Sequence, residues 1–368
     1  MKILMIGPLP DPVTGLSIAN EMLKKGLTEK NHIIEYIDTN TEKKFTNLSS
    51  QGKFSLKKII QSLLPIMQGI IKISSKKFDV IYITPAQSYL GFLKYSPFIF
   101  AAKIKKTPVY IHFHGGFVRD MYDSLTKFKQ KILRKIFEKC TGIIVLGSSL
   151  EKMFQGIVLK HKVHVCENGV DQAFFLSKNE LDDKLVSFNK KNKLEILYLS
   201  NLMKSKGILD LLNACLLLKE KGIQFNLNIA GSIEPNLSDE FNYYKELLSE
   251  EMTYYGLVKG EKKRKLLKNA NIFCLPSYYP NEGQPISILE AMAMGCGIVT
   301  TNQGGISDIF KDGVNGIECK KNNAEHLAHS IEKIEEKLNL FSETNVQISY
   351  ANYTSAHFVN RIEKIISR

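Results

Sequence analysis

Pro276-Ser277-Tyr278-Tyr279-Pro280-Asn281-Glu282-Gly283-Gln284-Pro285-Ile286-Ser287-Ile288-Leu289-Glu290-Ala291-Met292-Ala293-Met294-Gly295 is the stretch whose reading decides the fold. The apolar run Ile272-Phe273-Cys274-Leu275 ahead of it reads as a buried strand that stops at Pro276. A polar turn follows, then a helix opening near Gln284-Pro285, because proline suits a first helical turn. Gly295 closes that helix, as glycine does at a C-terminus. Glu282 therefore stands just ahead of the helix and Glu290 inside it, with seven residues between them.

Free N–H groups at a helix start attract an anion or a hydroxyl. Two carboxylates flanking such a corner suit the hydroxyls of a nucleotide sugar; the alternative is a solvent-facing Glu282 and a capped or paired Glu290. The chain continues with an apolar run, Gly297-Ile298-Val299-Thr300, then Thr301-Asn302-Gln303-Gly304-Gly305-Ile306 and Asp312-Gly313-Val314-Asn315-Gly316. This block resembles the donor-binding end of the retaining glycosyltransferases of family four, which have the GT-B fold. Their hallmark is Glu, seven residues, Glu, preceded by Pro-Ser and followed by Ala-Met-Ala-x-Gly and a Gly-Gly turn.

Composition bounds the class. At 368 residues the chain suggests two domains, and 44% hydrophobic with 24% charged residues is the balance of a soluble globular protein. Six cysteines, at 140, 166, 215, 274, 296 and 319, show no metal-type spacing and read as reduced core residues of a cytoplasmic protein. The start Met1-Lys2-Ile3-Leu4-Met5-Ile6-Gly7 reads as a strand rather than a signal peptide, and no window offers the ~20 apolar residues of a spanning helix. A net charge of +13 fits an anionic membrane, a phosphorylated substrate or nucleic acid.

Strand candidates at 2–7, 33–37, 79–84, 108–113, 142–146 and 162–166 alternate with helical patterns, the rhythm of βα units around a mostly parallel sheet. After Asn168-Gly169-Val170-Asp171, a polar stretch ending in Asn189-Lys190-Lys191-Asn192-Lys193 reads as the interdomain linker. The rhythm restarts at 194–200, 225–231, 254–258, 272–275, 297–300 and 314–319. The expected architecture is α/β: two doubly wound, Rossmann-like domains facing a cleft, with ligands at the strands' C-terminal ends. Residues 1–185 form the first domain and 186–349 the second. The resemblance implies that the helical segment 350–368 completes the first.

In the first domain, Gly15 lies in a loop that opens a helix, where backbone can approach a phosphate. Related sequences carry two glycines here, and Thr14 takes the first place. Alternation along Tyr110-Ile111-His112-Phe113-His114-Gly115-Gly116 puts Tyr110, His112 and His114 on one face. His112 is expected in the core. The resemblance assigns His114 to the donor sugar or the acceptor. Two basic amphipathic segments suit an anionic lipid surface. One, 53–73, mixes Lys53, Lys57 and Lys58 with Phe54, Leu56, Ile59, Ile60, Leu63 and Leu64. The other, 127–140, sets Phe128, Ile132, Leu133, Ile136 and Phe137 against Lys129, Lys131, Arg134, Lys135 and Lys139. The alternative for each is a helix packed on the sheet with its charges in water.

In the second domain, Ser200-Asn201-Leu202-Met203-Lys204-Ser205-Lys206-Gly207 opens a helix near Lys206. A lysine at a helix start opposes the helix dipole unless an anion sits there, which makes Lys206 a candidate diphosphate ligand; the alternative is a solvated loop lysine. The resembling family has Gly-Arg where Ser200-Asn201 stand; either Lys204 substitutes for the lost arginine or the donor is held more weakly. The resemblance implies retaining transfer of a hexose-type sugar from a nucleotide-diphosphate sugar, with UDP the expected carrier. Glu290 would hold the ribose, Glu282 with Gly283 and Gln284 the sugar, and Lys206 the leaving diphosphate. Pro285, Ile286, Asn201 and Gly15 complete the expected donor contacts. With charge stabilisation assigned to Lys206 and helix termini, neither cofactor nor metal is expected. The expected acceptor is a membrane-associated, lipid-linked saccharide used in surface polysaccharide assembly, with the protein peripheral on the inner face of the plasma membrane. Other readings are a soluble sugar acceptor and a non-catalytic two-domain sugar-binding protein. Nucleic acid is not an expected partner, since no aromatic-interleaved basic motif is present.

Overall fold

The computed structural model describes residues 1–40, 56–190 and 193–368. The chain forms two compact units, one of residues 1–169 with 355–368, the other of residues 170–354.

In the first unit the strands are β1 (Lys2–Gly7), β2 (Ile33–Asp38), β3 (Val80–Ile83), β4 (Val109–Phe113), β5 (Gly142–Val145) and β6 (Val163–Val165). All pair in parallel, in the order β2-β1-β3-β4-β5-β6. Central strands such as β3 and β4 are buried throughout, because helices cover both faces and every side chain must be apolar or paired. The order reverses between β1 and β3, the place where doubly wound sheets leave a crevice. Helix Gly15–Glu29 follows β1, and helix Ser355–Ile366 packs on it, with Val359 against Gly26.

In the second unit the strands are β7 (Leu194–Leu199), β8 (Phe225–Ala230), β9 (Met252–Tyr254), β10 (Ile272–Leu275), β11 (Gly297–Thr300) and β12 (Gly316–Glu318). Their order is β12-β11-β10-β7-β8-β9, again parallel. Counted from β7, this is the Rossmann order 3-2-1-4-5-6, with its reversal between β7 and β10. The loops after those two strands are the ones carrying Lys206 and Glu282. Each unit has its own apolar core.

Three expectations shift. The break between units falls at Gly169/Val170 instead of 185/186: helix Lys178–Lys190 packs in the second unit through Leu181 and Phe188, and Glu180 pairs with Arg264 and Lys268. The C-terminal segment is two helices, Leu338–Asn352 in the second unit and Ser355–Ile366 in the first, parted at Tyr353-Thr354. The strand expected at 254–258 lies at Met252–Tyr254, since Met252 pairs with Leu227 and Gly256 turns the chain at φ 64°. Residues 191–192 of the expected linker and 53–55 of the expected membrane-facing segment lie outside the described residues, and in that segment side chains are described from Leu64 onward. All six cysteines are free and buried.

Candidate functional site

Two loops at the reversal of the second sheet are pressed together. Gly207 adopts φ 74°, and a Cβ there would lie 2.2 Å from the carbonyl oxygen of Pro276. Tyr278 N donates to Ser205 O at 2.8 Å, locking the β10 loop onto the β7 loop. Glycine after Lys206 and Pro-Ser after β10 are thus two halves of one contact. Helix Ile208–Glu220 starts at Gly207 and helix Ile286–Ala293 at Pro285, and neither has a side-chain cap. Two helix starts with uncapped N–H groups therefore adjoin one corner. The helices begin two residues after Lys206 and one after Pro285, slightly later than expected.

Lys206 and Glu282 meet in that corner. Lys206 Nζ donates to Glu282 Oε1 at 2.9 Å and Oε2 at 2.6 Å, and Ser277 Oγ donates to Oε2 at 2.6 Å. Glu282 is buried rather than solvent-facing, and Lys206 Nζ lies 4.8 Å from the Tyr279 ring centre. Here the anion beside the lysine is the protein's own carboxylate. The Gly304-Gly305 turn closes over Glu282: Gly304 has φ 53°, and a Cβ there would approach Glu282 O to 2.1 Å. Gly283 and Gln284 are buried next to it, and Pro285 is half-buried.

Glu290 lies inside helix Ile286–Ala293 and is 3% exposed. Lys263 Nζ lies 2.7 Å from its Oε1 and 2.5 Å from its Oε2, and stands 5.0 Å from the Phe174 ring centre. Burial raises the Glu290 carboxyl pKa above the ordinary carboxylate value, and the Lys263 charge pulls the other way. Asn201 and Lys204 are exposed, and the Lys204 charge acts on Asp210.

In the first unit, Thr14 is the N-cap of helix Gly15–Glu29. Its Oγ1 accepts from Ser17 N at 3.1 Å, and Ser17 Oγ accepts from Thr14 N at 2.8 Å. The residue replacing the first glycine of the family pattern thus closes a capping box, leaving Gly15 exposed beside it. His112 is fully buried, with Nδ1 2.6 Å from Tyr82 OH. His114, one pleat further, is half-buried, its ring centre 4.1 Å from that of His112. Its Nε2 is buried with no hydrogen-bond partner, and burial draws its pKa down to about 3.

With this geometry in hand, comparison with known proteins is specific. The sequence pattern of the family described as glycosyl transferases group 1 matches residues 179–354, which is nearly the whole second unit. Residues 179–354 belong to the group 1 glycosyltransferase family. Among relatives of this glycosyltransferase, the capsular polysaccharide biosynthesis glycosyltransferase CapM of Staphylococcus aureus is 26% identical, the match covering 70% of this chain and 67% of the relative. The UDP-Gal:alpha-D-GlcNAc-diphosphoundecaprenol alpha-1,3-galactosyltransferase of Escherichia coli is 23% identical over 92% of this chain and 86% of its own. The solved structure of Anabaena HepE with UDP-glucose matches 100% of both chains with a TM-score of 0.74 and 15% identity. The fold class is GT-B, with two Rossmann-like units.

Sequence reasoning on this glycosyltransferase missed three participants. Ser277 was visible only as part of the Pro-Ser pattern, yet it holds Glu282. Tyr279 lies under Lys206, and Lys263 pairs with Glu290. Lys263 sits among Lys262, Arg264 and Lys265, and nothing local marks it among four cations. The basic segment 127–140 also reads differently in place. Leu133, Ile136 and Phe137 of helix Lys127–Glu138 are buried in the core, so its apolar face is consumed by packing and only Phe128 stands out at 74% exposure.

Proposed function

We propose that the chain catalyses retaining transfer of a hexose from a UDP-sugar to a lipid-linked saccharide, without a divalent metal, at an anionic membrane surface. The observation that carries this reading is the buried Lys206–Glu282 pair, held between two uncapped helix starts at the reversal of a Rossmann sheet. Such a corner offers a fixed cation and helix-terminal N–H groups to a diphosphate, the group on which charge develops as the sugar leaves. Glu290 takes the ribose hydroxyls, and Glu282 takes sugar hydroxyls once Lys206 turns to the diphosphate. His114 offers its unpartnered Nε2 to the donor sugar or the acceptor. The acceptor hydroxyl attacks the face from which the diphosphate departs, and the leaving phosphate oxygen takes its proton.

A UDP donor and a diphospho-lipid acceptor are supported by the names of the related galactosyltransferase and of the HepE complex. Membrane contact is supported by Leu64, Met67 and Ile71, which are exposed at helical spacing on one face of helix Leu56–Ser75. Exposed Lys127, Lys131 and Lys135 add positive charge in the same unit. Among the described residues no helix is long and apolar enough to cross a membrane.

A thermal-shift panel of nucleoside diphosphates and their sugars, with chelator present, tests the donor, since a ligand of the native state raises apparent stability. UDP-hexoses should stabilise and should label a polyprenyl-diphosphate saccharide. A flat panel, or labelling only with added metal, would overturn the reading. Met67→Gln with Ile71→Gln should reduce sedimentation with anionic vesicles; undiminished sedimentation removes the membrane face.

A further inference from the structure

Lys184 is a lysine buried to 4% exposure, on helix Lys178–Lys190 of the second unit. Its Nζ donates to Leu267 O at 3.1 Å and to Met294 O at 2.5 Å, and lies 3.6 Å from Cys296 Sγ. Its partners are thus main-chain oxygens and a thiol. Burying an ammonium is costly, and the cost is repaid only by well-placed acceptors. Burial also draws its pKa below the ordinary lysine value.

The two carbonyls have a shared meaning. Leu267 is in the last turn of helix Gly260–Asn269, and Met294 is the C-cap of helix Ile286–Ala293. Both therefore belong to helix ends where carbonyls are left over and where negative dipole charge collects, the ends that favour a cation. Cys296 reinforces the join, its Sγ donating to Leu267 O and Ala270 O, each at 3.4 Å. One of the joined helices carries Lys263, the other carries Glu290, and those side chains meet at 2.5 Å.

We infer that Lys184 is a positioning residue: by capping the C-termini of both helices with one ammonium, it sets the separation at which Lys263 meets Glu290. This rests on the proposed reading only where Glu290 is taken to bind the nucleotide ribose. The joint itself is independent of any ligand. Lys184 is remote in sequence from both helices, and its role is carried entirely by the packing of helix Lys178–Lys190, which precedes the first strand of its unit.

The test has two arms, both with the full chain and the variants Lys184→Met and Lys184→Gln. In the first, UDP binding should weaken about tenfold in either variant, yet be unaffected by Lys184→Met once Glu290→Ala is already present, because positioning acts through that residue. Additive losses in the double variant would overturn the inference. The second arm needs no nucleotide: the coupling between Lys263 and Glu290 is measured by a double-mutant cycle in urea unfolding, with and without Lys184→Met. The coupling should shrink in the variant, and an unchanged coupling would overturn the inference. If wild type fails to bind UDP, the donor reading falls and the second arm alone decides. If neither variant folds, Lys184 is a folding determinant and the positioning role is discarded.

Discussion

Lys206 Nζ lies within 2.9 Å of both carboxylate oxygens of Glu282, a buried residue, so the cation offered by the β7 loop is already neutralised from within the protein. A diphosphate has to compete for it. Lys206→Met removes one charge-assisted contact, of roughly 1.5–3 kcal/mol. UDP affinity should therefore fall about ten- to a hundredfold. Glu282→Ala does the opposite to the ligand-free protein: it strands a mostly buried ammonium, at a cost of roughly 3 kcal/mol. UDP should then restore more stability to Glu282→Ala than to wild type, because it supplies the missing anion. Equal UDP-induced shifts in melting temperature for the two proteins would refute this exchange.

Glu290 combines burial with an ion pair, and burial dominates, since its carboxyl pKa is raised despite Lys263 at 2.5 Å. A raised carboxyl pKa means that the folded state binds its proton more tightly than the unfolded chain does. The associated stability is present below the ordinary value of 4.5 and is lost as pH rises through the folded value. Glu290→Gln is neutral at every pH, so wild type should lose melting temperature relative to this variant as pH rises above 4.5 and through the raised folded value. The same variant should bind UDP about tenfold more weakly. A melting difference that stays constant with pH removes the electrostatic argument; unchanged UDP binding removes the ribose role.

Most of the fold was legible because parallel strands buried on both faces are apolar runs, as in Ile272–Leu275 and Gly297–Thr300, and a run needs no partner to be recognised. The spacing of Glu282 and Glu290 was equally local. What was not legible depends on contacts between distant residues. Helix Lys178–Lys190 looks like the approach to a linker until Glu180 is seen with Arg264 and Lys268. Lys263 is one of four adjacent cations until Phe174 and Glu290 select it. The lysine Lys184 is hidden for a further reason: an ammonium satisfied by main-chain carbonyls leaves no complementary side chain to find in the sequence. Helix Lys127–Glu138 errs the other way, since an amphipathic pattern does not say whether core or lipid takes the apolar face.

His114 makes a prediction about acid. Burial draws its pKa from 6.5 to about 3, so the imidazole is neutral throughout the neutral range and, in the proposed role, would act by hydrogen bonding rather than as a cation. The unfolded chain takes up the proton near 6.5 while the folded chain resists it. Stability from this group is complete above 6.5 and is lost as pH falls toward 3. His114→Gln should therefore lose less melting temperature than wild type between those values. Transfer should fall at least tenfold in His114→Ala, and the wild-type rate should show no acid limb belonging to His114 near 6.5. A limb at that pH which disappears in His114→Gln would contradict the neutral role.

Glu35, on β2, gathers three lysines. Lys76 Nζ lies 2.9 Å and 3.0 Å from its two oxygens, with Lys72 at 3.3 Å and Lys2 at 3.4 Å. Lys2 belongs to the neighbouring strand β1, Lys72 to helix Leu56–Ser75 and Lys76 to the residue after it, so one carboxylate ties the sheet edge to that helix. The Lys76 hydrogen bond, foremost, and then Lys72 hold its pKa down at about 2 against an ordinary 4.5. A depressed carboxyl pKa contributes stability that is complete above 4.5 and is lost as pH falls through about 2. Glu35→Gln should lower the melting temperature at pH 7, and the deficit should close progressively between those two values. Because the pair network lies near the surface, added salt should also narrow the deficit, as the Debye length drops from ~10 Å at 0.1 M to ~3 Å at 1 M. A deficit that persists at low pH and in high salt would mean that Glu35 supports the edge strand by packing rather than by charge.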